Sequence, residues 1–212
     1  MTTFQTPEPI AVTIDVLSGD VTVIATERTD TVVTIQPADP AKKGDVRAAE
    51  HTQVTFAAGA LTVQTPKDWR TYTPFGGNPS VAVTVEVPLG SQLKANAGVG
   101  RLAGIGELGR SDLEIAAGDI VVERPSDSVT AKVAKGDIRI REAARGVLRL
   151  ETSMGELEVG IREGSGVRLE TNAAHGAVQN VLGPVATTAG NAETVQVFAR
   201  NSYGNIIIRH AA

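Results

Sequence analysis

One short phrase recurs along this chain at almost constant spacing, and little else constrains its fold as strongly. The copies read GVGRLAG, AAGDIVV, AKGDIRI and SMGELEV, centred on Gly100, Gly118, Gly136 and Gly155, at intervals of 18, 18 and 19 residues. Looser copies follow at Gly176 (HGAVQNV) and Gly204 (YGNIIIR), and an early one stands at Gly19 within Val12–Ile24. A fixed period in this range marks repeated units that bury their apolar faces against one another.

Counting from the glycine exposes the grammar of each unit. Two residues after it come Leu102, Ile120, Ile138, Leu157, Val178 and Ile206. Four after it come Gly104, Val122, Ile140, Val159, Asn180 and Ile208, and seven before it Leu93, Ser111, Val129, Leu148, Leu169 and Val197. Period-two alternation on both sides of a glycine describes two strands joined at a corner, and glycine tolerates the positive φ that a corner needs. Asn180 and Asn201 interrupt the apolar columns, and an amide ladder or a widened unit is expected there.

Outward columns test the register independently. If units stack in parallel and in chain order, Asn96, Glu114, Lys132 and Glu151 form one line. Arg139 then lies beside Glu158, Glu123 beside Arg141, and Arg149 beside Glu170. Opposite charges alternate, as cross-strand pairing favours.

The fold class expected is all-β: a single-stranded parallel β-solenoid (residues 93–212), with an irregular N-terminal β section (residues 1–92) capping one end. That section already contains the first repeat-like strand pair. Its strands are short and β-branched: Thr31–Ile35, Gln53–Phe56, Ala60–Gln64 and Ser80–Val87. Their irregular spacing predicts antiparallel hairpins, and the polar run Ala38–Glu50 predicts a helical turn or a loop.

Composition narrows the functional classes. A formal charge of -4 with both signs interspersed supplies no basic face, so neither nucleic acid nor a membrane surface is expected as a partner. No window approaches the roughly 18 apolar residues of a membrane span, and the N-terminal residues show no export pattern, which predicts a cytoplasmic chain without membrane insertion. Cysteine is absent, and His51, His175 and His210 stand far apart without zinc spacing. No catalytic, cofactor or metal residues are assigned, and the chain is read as a non-enzyme. Asp20, Asp119, Asp137 and Glu156 follow the corner glycines. Stacked carboxylates could take calcium, but an acid beside a turn glycine is ordinary turn chemistry, and the longer calcium-roll phrase is missing.

Two places suggest contact surfaces. The segment Pro66–Pro79 gathers Trp69, Arg70, Tyr72 and Phe75, of the residue types that anchor interfaces, and reads either as a partner contact or as a lid over the first unit. The last unit, Asn205, Ile207 and Arg209, is expected to leave an unpaired strand edge that invites a second copy.

The phrases SGDVTVI, AGDIVVE, KGDIRIR and MGELEVG, with VTVEVPLGSQL before them, resemble the bacterial putative-adhesin family, also called toastrack domains. The resemblance covers nearly the whole chain. It implies a non-enzymatic β-solenoid of a family linked to envelope-stress systems and often carried on membrane anchors. With no anchor visible, the expected function is an interaction or scaffold protein that binds an unknown protein partner or itself. A carbohydrate-active β-helix enzyme and a self-polymerising structural solenoid are the alternatives.

Overall fold

The structure, a computed structural model, describes residues 1–66, 79–182 and 193–211. It is all-β apart from one short helix. The strands in chain order are β1 (Thr2–Gln5), β2 (Ala11–Thr26), β3 (Asp30–Pro37), β4 (Gln53–Ala57), β5 (Ala60–Gln64), β6 (Val81–Pro88), β7 (Gln92–Leu108), β8 (Ser111–Pro125), β9 (Val129–Lys135), β10 (Ile138–Ala143), β11 (Gly146–Met154), β12 (Leu157–Ile161), β13 (Gly166–His175), β14 (Val178–Asn180), β15 (Thr194–Tyr203) and β16 (Ile206–His210). The polar run after β3 forms helix α1 (Lys43–His51). Its buried Asp45 accepts hydrogen bonds from the backbone N–H groups of Ser80 (2.9 Å) and Asp39 (3.1 Å), tying the helix to the chain on either side.

Pairing is mostly parallel and follows the glycine register. Gly19 is opposite Gly100, and Gly100 opposite Gly118. We call each glycine-centred unit a rung. Strands β2, β7 and β8 run unbroken through the corner, whereas later rungs divide there into two strands. The sheet accordingly has two arms. Residues before the glycines pair as β4-β5-β2-β7-β8-β9-β11-β15-β13, and residues after them as β1-β3-β6-β2-β7-β8-β10-β12-β16-β14. The antiparallel pairs expected near the N-terminus are β1 with β3, β3 with β6 and β4 with β5, while β5 and β6 join β2 in parallel.

The corner explains how one chain lines both sides of a core. Inward residues stand at odd positions before the glycine (Leu113, Ile115) and at even positions after it (Ile120, Val122), all buried. In a flat strand these two sets would face opposite ways. At Gly118 φ is +133°, a value that L side chains rarely adopt, and the turn there brings both sets onto the same core. A second requirement is steric: a Cβ on Gly118 would lie 1.7 Å from the Gly100 carbonyl oxygen. Glycine therefore repeats because the rungs touch backbone to backbone.

The final two rungs are exchanged relative to the expected order. β12 pairs with β16, and β16 with β14; β11 pairs with β15, and β15 with β13. The rung of Gly204 thus lies between those of Gly155 and Gly176. Burial accounts for the order. An interior rung is covered on both sides, and Ile206 and Ile208 of the Gly204 rung are fully buried. Val178 and Asn180 are exposed on the last rung.

Candidate functional site

Two consequences of the exchanged order correct the expected site. Asn205, Ile207 and Arg209 do not form a free edge, because β16 is paired on both sides. Among the described residues the terminal strands at this end are β13 and β14, each with one partner strand. Arg149 does not lie beside Glu170 either. Phe198 separates them, and the Arg149 guanidinium sits 4.7 Å from its ring centroid. Trp69, Arg70, Tyr72 and Phe75 lie outside the described residues.

Two of the acids that follow the corner glycines, Asp119 and Asp137, have a structural task. Asp119 Oδ1 accepts a hydrogen bond from the Asp137 backbone N–H (3.0 Å), and Asp137 Oδ1 accepts one from Glu156 (2.9 Å). Asn205 Oδ1 does the same for Ala177 (3.0 Å). Each side chain satisfies an N–H of the next rung that the corner would otherwise leave unpaired. Among the described residues no group of His, Cys, Asp and Glu has a geometry that could hold a metal ion. The expected amide ladder is replaced by bonds to backbone: buried Asn201 Nδ2 donates to the Gly155 carbonyl (2.9 Å), while Asn180 Oδ1 accepts from Leu182 N–H (3.1 Å).

A surface groove that spans several rungs lies on the outer face of the arm before the glycines. Four residues before each glycine, Asp15, Asn96, Glu114, Lys132, Glu151, Arg200 and Asn172 line up rung by rung. Two residues before it, Leu17 stands on the first rung, and from the second rung on Gly98, Ala116, Ala134 and Ser153 leave a floor without bulk. The resulting groove has a volume of about 590 Å³. Lys132 and Glu151 also line an adjoining hollow of about 410 Å³ that ends at Arg149, Phe198 and Glu170. Glu114, Lys132 and Glu151 alternate in charge yet close no ion pair with one another among the described residues. The expected pairing of Arg139 with Glu158 does close, at 3.5 Å. Glu123 and Arg141 form no pair, since Glu123 Oε2 instead accepts the Gly106 N–H at 2.8 Å.

This architecture occurs in solved structures. A putative cell adhesion protein from Clostridium sporogenes superposes with a TM-score of 0.54 at 12% identity, over 99% of this chain and 98% of that one. The chain shares its fold. A putative adhesin from Bacteroides fragilis aligns over 98% of this chain and 95% of its own, with a TM-score of 0.43 and 13% identity. No family model and no curated protein matches the sequence. Sequence reasoning anticipated the line Asn96–Glu114–Lys132–Glu151 but missed its continuation through Arg200 and the bare floor beside it. The run of Gly98, Ala116, Ala134 and Ser153 at one repeat position was the available signal.

Proposed function

We propose that this chain is a non-enzymatic binding or scaffold protein, a parallel β-solenoid whose charged groove docks an extended segment of a partner protein. The carrying observation is the groove itself: alternating charges that satisfy no neighbour, beside a floor of small side chains. Unclosed charges spaced at the rung repeat offer complementarity to a partner. From Asp15 to Glu151 the rungs span roughly 19 Å at about 4.8 Å each, the reach of about six extended residues. The cell adhesion name of the Clostridium structure is consistent with a binding role.

A photo-crosslinking residue at Ala134 tests this reading in the native host. One partner should be captured there and not from Arg101, and a separate Ala116→Trp change should abolish capture without lowering the melting temperature. Equal capture at Ala134 and Arg101, or capture indifferent to Ala116→Trp, would refute the groove as the docking surface.

A further inference from the structure

The other arm carries a second recess that the groove does not involve. Five residues after the glycines, Arg141, Gly160 and Arg209 occupy equivalent places, with Gly160 opposite Arg209. Between β10 and β12 the register slips, so that Arg141 and Glu142 together face Gly160. Such a bulge re-aims side chains. A Cβ on Gly160 would lie 1.9 Å from the Arg141 carbonyl oxygen, so this position holds no side chain, and a gap is left between two arginines. The recess measures about 680 Å³, and its charged lining is Glu123, Arg124, Arg139, Arg141, Glu142, Glu158 and Arg209.

Its carboxylates are already engaged. Glu158 pairs with Arg209 at 2.7 Å and with Arg139 at 3.5 Å. Glu142 pairs with Arg162 at 2.6 Å, and Glu123 accepts the Gly106 N–H. Arg139 also bonds Asp137 at 2.9 Å. Arg124 and Arg141 donate to nothing among the described residues, and Glu107, opposite Arg124 in the register, closes no ion pair with it. Two guanidiniums outside any ion pair therefore share a recess lined by four arginines and three glutamates, on a chain whose formal charge is -4. Their planar forks suit an oxyanion with several acceptor atoms.

We propose that this recess binds a phosphate monoester, held by Arg124 and Arg141. The source is either a soluble phosphorylated compound or a lipid headgroup, and the chemistry at the site is the same. The full chain, labelled with ¹⁵N, is titrated with inorganic phosphate at fixed ionic strength. Saturable shifts confined to β8, β10, β12 and β16 are expected, with a dissociation constant on the order of 1 mM. Arg141→Gln and Arg124→Gln should each weaken binding about tenfold, and Arg101→Gln should leave it unchanged. Flotation with phosphatidylcholine vesicles, with and without phosphatidic acid, separates the sources: selective flotation abolished by the double variant assigns a lipid headgroup, and its absence alongside saturable phosphate binding assigns a soluble ligand. Non-saturating shifts, equal shifts with acetate, or shifts that survive the double variant would overturn the proposal.

Discussion

Replacing Gly118 with alanine should be among the most damaging single-methyl additions this protein can receive. The new Cβ would start 1.7 Å from the Gly100 carbonyl oxygen, whereas carbon and oxygen in close contact stay about 3.3 Å apart. The two rungs must separate by roughly 1.5 Å, enough to break the backbone hydrogen bonds on either side, at about 0.5–1.5 kcal/mol each. Alanine at φ +133° adds about 1–3 kcal/mol of backbone strain. The sum is about 2–6 kcal/mol, and near its middle the melting temperature falls by about 8–16 °C for a chain of this size. Two controls separate the causes. Gly59 has φ +75° with nothing within 4 Å of its added Cβ, so Gly59→Ala pays only the conformational cost of about 1–2 kcal/mol. Gly98 lies outside the left-handed region but its Cβ would meet the Leu17 carbonyl oxygen at 2.4 Å, so Gly98→Ala reports the collision alone. Thermal denaturation followed by circular dichroism measures all three. If Gly118→Ala melts with Gly59→Ala, the backbone contact between rungs is not what demands glycine.

Inward and outward parity can be tested on adjacent residues. Ile138→Asp buries an unpaired charge and should cost about 4 kcal/mol or more, while Arg139→Asp, on the exposed side, should cost about 1 kcal/mol; equal losses in urea denaturation would refute the alternation. The exchanged rungs give a covalent test, clean because the chain has no cysteine. Glu151→Cys with Arg200→Cys places thiols on neighbouring strands and should oxidise readily, whereas Glu151→Cys with Asn172→Cys should not; the opposite result on a non-reducing gel would restore chain order. Near the N-terminus, the hydrogen bond from Arg28 (2.9 Å) holds the Asp30 carboxyl below the ordinary carboxylate range. A depressed pKa stabilises the fold above the unfolded value of about 4 and loses that contribution as the pH falls through the folded value. The melting-temperature difference between the wild-type protein and Asp30→Asn should therefore shrink below about pH 4, and a constant difference down to pH 3 would contradict it.

Much of this architecture was legible from residue spacing. The glycine period predicted parallel register, because equivalent positions of similar units meet when the units stack, and Gly19 opposite Gly100 opposite Gly118 follows directly. Alternation about each glycine likewise predicted which residues are buried, since a strand turns its side chains to one face at every second position. The acids after the glycines were read as turn chemistry, but their bonds to the next rung depend on a neighbour that the local sequence does not name.

The order of the last rungs was decided only in three dimensions. Similar units are interchangeable in register, so the pattern fits a Gly204 rung on either side of the Gly176 rung. What separates them is burial: Ile206 and Ile208 can be covered on both sides, whereas Asn180 would lose water without a partner. That exchange moved the chain's edge away from Asn205, Ile207 and Arg209, put Phe198 beneath Arg149, and set Arg209 opposite Gly160. Local pattern fixes what each residue needs, but which neighbour supplies it depends on competition among nearly equivalent rungs, and only the assembled core resolves that.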